Sequence, residues 1–378
     1  MTDASSAPHA EDTFASAQRA ARRERMEEMV LPPLVAVILA LVVGDLLILA
    51  FGQSPGLVYR LLLEGTWGNP YGFGQVIYRA TTLTCTGLAF AAAARAGLFN
   101  IGAESQLAAG GFAAGVLGTL LPGGLPLVIA APVLIAAAAA GGGAVGLVPG
   151  WLKSRLGANE VVVTIMLNFV VLALLNWAMS AHLAEPATTH TRELASGTIP
   201  RLSTVFPALH GSAANFSIVV VLAAAACMAW WLFRSRGGYE LRAVGLQPDA
   251  AAYAGVNVGR TWLRAMVISG AIAGLGGINF VLGYKYYYEE GFASGSGFLG
   301  IAVALTGRNH PLGIVLAALF FATLSQAGLA VNAVVPREFV EILQAVVILA
   351  VVASVPAVRA ALRSERGRAA LHRARVTE

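Results

Sequence analysis

The amino-acid sequence predicts an all-α integral membrane protein of about ten transmembrane helices, built as a 5+5 inverted repeat with both termini in the cytoplasm. Three observations predict it. Of 378 residues, 57% are hydrophobic and 12% charged, against roughly 25% charge in a soluble domain, and the mean hydropathy is +0.71. The apolar residues gather in runs of spanning length: Gly74 to Leu121 contains only Arg79, Arg95 and Glu104 as charges, and is more than twice the ~20 residues that cross a bilayer once. Lysine and arginine also segregate by side once the runs are threaded through a membrane.

The chain opens on a polar tail, 1–29, with both signs of charge. The first span, 30–51, carries Pro32 and Pro33 at its start, where proline costs little. It is too long for the apolar core of a signal peptide. Spans 74–95 and 103–121 flank Gly97-Leu-Phe-Asn-Ile-Gly102. Glycines weaken a helix there, and an Asn finds no good partner in lipid. Irregular backbone at membrane depth survives only inside protein or beside a water-filled cavity, so the stretch reads as two helices meeting at a break near a polar pathway. Span 126–150 holds Gly141-Gly-Gly143, small residues that mark close helix packing. Asn159 reads as the N-cap of span 161–183.

The connection 184–214 is the longest on the outer side and reads as a packed excursion. Span 215–233 follows, then an inner segment, 234–262. Within it Tyr239 to Val244 reads as a short helix ended by Gly245; Pro248 opens a second, Asp249 to Ala254, stopped by Gly255. Structureless loops of this length are uncommon in compact proteins, and a helix–turn–helix under the bilayer is a handle for a cytoplasmic partner. Spans 263–283, 295–308, 311–330 and 339–357 complete the membrane domain, 30–358. The eighth reaches only ~20 Å, as a half-helix or one that begins earlier. The tail 359–378 is basic and suits anionic headgroups.

With this threading, nineteen lysines and arginines fall inside and six, Arg60, Arg79, Arg192, Arg201, Lys285 and Arg337, outside. The bias agrees loop after loop with cytoplasmic ends. Five helices per half bring the second half in from the opposite face, so any structural repeat is inverted, with the solute path at its interface.

Several chemistries are excluded. No G-x-x-x-x-G-K-[ST] phosphate loop exists, and neither Lys153 nor Lys285 follows a glycine. The six histidines are scattered, with no metal-ligand spacing. Cys85 and Cys227 sit in apolar spans as small hydrophobes. No basic run is interleaved with aromatics, which argues against nucleic acid. The chain reads as no enzyme and as binding no cofactor of its own. Intramembrane ionisable groups are few (Asp45, Arg79, Arg95, Glu104, with Glu160 and Glu341 near span ends), too few for a proton relay. Energy is expected from outside the chain.

Phe99, Asn100 and Glu104 at the break are the first candidate pathway residues; capping of the third span explains Asn100 and Glu104 as well. In the fifth span Asn168 and Asn176 share a face. Asn176 suits a hydroxylated solute and Trp177 a base, although helix–helix hydrogen bonding accounts for the asparagines equally. Tyr284 to Glu290 reads either as a docking patch or as an interfacial aromatic belt. Tyr239, Glu240, Arg242, Gly245, Pro248 and Gly255 are the candidate coupling residues, with a solvated charged face as the plainer account of Glu240 and Arg242.

Four ordered stretches carry a resemblance: GLAFAAAARAGLFNIGAESQLAAGG (87–111), LKSRLGANEVVVTIMLNFV (152–170), YELRAVGLQPDAAAYAGVNV (239–258) and GFLGIAVALTGRNHPLG (297–313). Together they resemble bacterial ABC importer permeases of the branched-chain amino acid, simple sugar and nucleoside family, above all the longer permease of nucleoside importers. The similarity runs from about Val30 to Val358. It departs at Ser105, where the family usually has Gly, at Arg308 and His310, where it has small residues, and near Leu299, where it has a carboxylate. The resemblance implies a second permease subunit in a heterodimer, two cytoplasmic ATPase subunits that bind ATP and Mg²⁺, an extracellular solute-binding lipoprotein, and a location in the bacterial inner membrane as a multi-pass chain. It also implies that 239–258 is the segment docking on an ATPase. The competing expectation is an ion-coupled secondary transporter of a small polar solute.

Overall fold

The computed structural model describes residues 38–350 except 40, 333, 335, 337, 339, 340, 343 and 347. The tails 1–29 and 359–378 and the outer parts of the first and tenth predicted spans lie outside the described residues. The chain divides into two units, Met1–Pro55 with Glu341–Glu378, and Gly56–Val340. Of the first, the described residues show helix α1 (Leu41–Ala50), ending near Gly52 at φ +71°, and helical residues within 341–350.

The second unit is all helical among its described residues, with isolated bridges instead of strands. Its first helix, α2 (Pro55–Gly65), was not anticipated from the sequence, because its apolar run is too short to read as a span. Helix α3 (Pro70–Ala94) begins four residues before the expected Gly74; proline sits in its first turn and Asn69 Oδ1 accepts the Gly72 N–H at 2.6 Å. Next come α4 (Ala103–Leu120), α5 (Leu127–Leu156) and α6 (Glu160–Ala178), which widens into a π turn over Met179–Leu183. Asn159 caps α6 as expected, accepting from Val161 N at 3.0 Å. The later helices are α7 (Ser217–Arg234), α8 (Arg236–Leu246), α9 (Pro248–Tyr253), α10 (Val258–Leu275), α11 (Gly277–Phe280) with a π turn through Lys285, α12 (Ser296–Thr306) and α13 (Pro311–Val331).

Six helices among the described residues are long and apolar enough to cross a bilayer: α3, α5, α6 with its π turn, α7, α10 through Lys285, and α13. Helix α12 has 11 residues, about 16 Å, so the eighth segment starts no earlier than expected and stays short. Helices α3 and α10 occupy the centre. Helix α10 packs on α4 and α5, and α3 packs reciprocally on α12 and α13.

The tightest seam joins α5 to α10. Gly142 and Gly146 lie four apart and meet Gly270, Gly274 and Met266 main chain so closely that a Cβ at Gly142 would strike the Gly270 carbonyl. In lipid, helix association depends on such packing rather than on expulsion of water. Helix α6 is different: Met166, Phe169, Leu174 and Trp177 are exposed, leaving an apolar face for lipid or a partner chain.

The excursion after α6 folds back on the second half. Thr191 N, Leu194 N and Ile199 N donate to the carbonyls of Tyr288, Tyr286 and Leu282 at 2.9, 2.8 and 2.8 Å. Tyr288 is enclosed with Leu134, Leu194 and Val281. Burial first, then the neighbouring Glu290, pushes its phenol above the usual range, so it stays neutral.

Candidate functional site

The break after α3 forms where the sequence places it. Gly97 takes φ +76°, a left-handed conformation that suits glycine, and α4 starts at Ala103. Asn100 is fully buried. Its Nδ2 donates to Gln106 Oε1 at 2.8 Å and to Ser269 Oγ on α10 at 2.7 Å, while Oδ1 accepts the Gly102 N–H at 2.9 Å. Ser269 Oγ in turn donates to the Ala89 carbonyl at 2.6 Å. A buried amide needs such partners, and this one ties α3, α4 and α10 together.

Glu104 caps a helix, but not its own. Its Oε1 accepts from Gly295 N at 2.7 Å and its Oε2 from Gly297 N at 2.6 Å, so the carboxylate faces the start of α12. A carboxylate at a helix N-terminus satisfies orphan donors and complements the dipole. The sequence expectation of a charge at the head of α4 is met by position, yet its bonds lie in the second half. Asn168 on α6 reaches the same break, donating to the Ile101 carbonyl at 3.0 Å and accepting from Ser105 N at 3.2 Å.

The remaining candidates do not converge with these three. Asn176 is half-buried, one turn before the π turn. Trp177 is 62% exposed, with its ring edge-on to His182. Phe99 is partly exposed and packs edge-to-face on Phe90. A second polar knot escaped sequence reasoning: Asn279 Nδ2 donates to the Tyr78 carbonyl at 2.8 Å and Thr82 Oγ1 at 2.9 Å, and Asn215 Nδ2 donates to Asn279 Oδ1 at 3.0 Å. Asparagines inside apolar runs were its only signal.

Segment 234–262 forms a helical hairpin as expected, with one correction. The first helix, α8, begins at Arg236 and continues through Gly245 to Leu246; Gly245 is inside it and does not end it. Ser235 caps its start, its Oγ accepting the Gly238 N–H at 3.0 Å. Gly245 is needed for closeness instead: a Cβ there would meet the Arg95 carbonyl and the backbone of Gly97. Pro248 sits in the first turn of α9, and Gly255 follows at φ +83°.

The hairpin is anchored on its other side too. The Arg242 guanidinium lies over the Phe233 ring at 5.5 Å, and His310 stacks on the same ring at 5.5 Å. Arg95 donates to the Asn309 carbonyl. Glu240 pairs with Arg236 at 2.9 Å in an exposed i,i+4 contact worth a few tenths of a kcal/mol. Tyr239, Leu246 and Tyr253 are exposed, Tyr253 by 95%, so apolar side chains project from a hairpin whose backbone is fixed to the membrane helices.

Known proteins resemble the chain over most of its length. Residues 72–352 match the family described as branched-chain amino acid transport system / permease component. The guanosine ABC transporter permease protein NupP of Bacillus subtilis is 40% identical over 86% of this chain and 93% of its own length. The nucleoside ABC transporter permease protein NupB of Lactococcus lactis is 32% identical over 84% and 89%. The glucose ABC transporter permease protein TsgB13 of Haloferax volcanii is 32% identical over 85% and 87%. Both bacteria also hold a second, less similar permease of like description. No solved structure matches. With the family match spanning most of the sequence and six helices among the described residues long enough to span a bilayer, the chain belongs to this family of transport-system permease components: it is a multi-pass membrane permease of an ABC importer and not itself an enzyme.

Proposed function

We propose that this permease pairs with a second permease subunit to form the path by which a nucleoside, or a related sugar-like solute, enters a bacterial cell across its inner membrane. Ten spans in two inverted halves, with both ends cytoplasmic, complete the architecture. The reciprocal packing of α3 on α12 and α13 and of α10 on α4 and α5 supports the repeat. The names of NupP and NupB favour a nucleoside, and that of TsgB13 keeps a sugar as the second choice. Paired relatives in two bacteria favour a heterodimer.

The observation that carries the reading is the hairpin α8–α9. Its inner side touches the end of α3 through Gly245 and Arg95, and its neighbours Phe233 and His310 join it to the turn before α13. Its outer side presents Tyr239, Leu246 and Tyr253. A push on those side chains by a partner ATPase therefore reaches both halves at once. ATP and Mg²⁺ are bound by the two ATPase subunits; this chain contributes the path and the lever, and an extracellular lipoprotein delivers the solute.

The ion-coupled alternative is weakened by Glu104, the most buried carboxylate near the break, whose two oxygens are engaged by amide donors. Reconstituted vesicles test the choice. Labelled guanosine should accumulate only with internal ATP, be blocked by vanadate and survive ionophores; accumulation driven by an ion gradient without the ATPase overturns the proposal.

A further inference from the structure

Three of the polar residues predicted to face solute are engaged by other protein groups. Asn100, Glu104 and Asn168 are buried and bonded within the protein. A different wall has unspent capacity. On α3, Tyr71, Gln75 and Arg79 recur every four residues, which places them on one face over about 12 Å. Opposite them on α13 stand Ser325 and Gln326: Arg79 Nη1 donates to Ser325 Oγ at 3.1 Å and Nε to Gln326 Oε1 at 3.3 Å. Between the two helices and Asn69 lies a cavity of about 470 Å³, lined by Gln75, Arg79, Gln326 and Tyr71 and floored by Leu329 and Ala330. Small-molecule sites occupy about 300–1,000 Å³.

Two explanations compete for polar side chains in an apolar helix. Interhelical hydrogen bonding accounts for Arg79, Ser325 and Gln326. It does not account for Gln75, which is half-buried, lines the cavity and has no hydrogen-bond partner among the described residues. An amide with two donors and two acceptor positions, left unmatched beside hydrocarbon, is costly. The cost is met if water fills the cavity and a solute replaces it. The wall carries three amides (Asn69, Gln75 and Gln326), a half-exposed phenol ring and the already engaged guanidinium of Arg79, with no carboxylate among the lining residues. That set fits a neutral solute with hydroxyl or carbonyl acceptors and a flat ring to lie on Tyr71. It fits a cation poorly.

We propose that this cavity is a binding subsite on the solute's route, with Gln75 as the hydrogen-bonding residue and a nucleoside as the ligand class. The proposal rests on the import reading above and adds the place of contact, which lies near the N-terminal end of α3 and not at the break between α3 and α4.

The test uses the complete reconstituted transporter. A single reporter cysteine, Gln75→Cys in a Cys227→Ser background, is labelled with a water-soluble thiol reagent; the native Cys85 is buried. Guanosine at ten times its dissociation constant should slow labelling by about ten-fold, whereas leucine should not. Gln75→Leu should raise the guanosine concentration for half-maximal uptake about five-fold, the worth of one hydrogen bond. Labelling at the same rate with and without guanosine, in a transporter that still imports it, overturns the subsite and leaves the import reading standing. A wild-type complex that imports no nucleoside overturns both.

Discussion

The Arg95 guanidinium donates from Nε and Nη2 to one acceptor, the main-chain carbonyl of Asn309, at 3.1 and 2.9 Å. Asn309 and its neighbour Arg308 hold φ of +51° and +56°, which is uncommon for residues other than glycine. A fork-shaped cation thus clamps a strained turn 214 residues away. Lysine supplies the charge but not the planar fork. Arg95→Lys should lower stability by about 1.5–2 kcal/mol, within the range of hydrogen bonds to charged groups, and a lower melting temperature in detergent would show it.

Gly245 faces backbone, which cannot step aside. Gly245→Ala puts a methyl against the Arg95 carbonyl, so the hairpin must lift off the end of α3. Uptake per ATP hydrolysed in vesicles should fall at least about ten-fold, because positioning errors near 1 Å are costly. Hydrolysis by the ATPase subunits should persist. Gly255→Ala is the control for local strain, since that glycine is at φ +83° with open space around it.

Glu104→Gln keeps the size of the side chain and replaces one acceptor oxygen by a donor. That donor must then face the Gly295 or Gly297 N–H. The loss of a helix cap costs roughly 0.5–2 kcal/mol. Faster amide exchange confined to the start of α12, read by mass spectrometry, is the expected signature.

Adjacent glycines on α5 should respond unequally. At Gly142 a Cβ meets the Gly270 carbonyl and the Gly274 main chain; at Gly143 its nearest neighbour is at an ordinary 3.5 Å. Gly142→Ala should cut the yield of folded protein, and Gly143→Ala should leave it near wild type, as fluorescence-detected size exclusion would report.

Much of this was legible in the sequence because lipid imposes length and continuity. The break at Gly97–Gly102, the start of α4, the cap at Asn159 and the hairpin followed from local composition and came within a few residues of the observed elements. What local reading misses is partnership. Asn100 and Ser269 are 169 residues apart, and Glu104 and Gly297 are 193 apart; nothing near either residue announces the other. Gly245 misled for a related reason. A glycine near a helix end suggests a stop, whereas its actual role, letting another chain segment come close, is visible only in three dimensions. Gln75 was passed over because a lone amide in an apolar run gives no sign of the space beside it.

The contact between α5 and α10 has a mechanical consequence. Helices slide past one another when interlocking side chains can swap rotamers, and here main chain lies on main chain with Gly142, Gly146, Gly270 and Gly274 at the join. There is nothing to re-notch, so these two helices travel as one plank. During each transport stroke, relative movement must be taken up elsewhere, along borders that still carry bulky teeth.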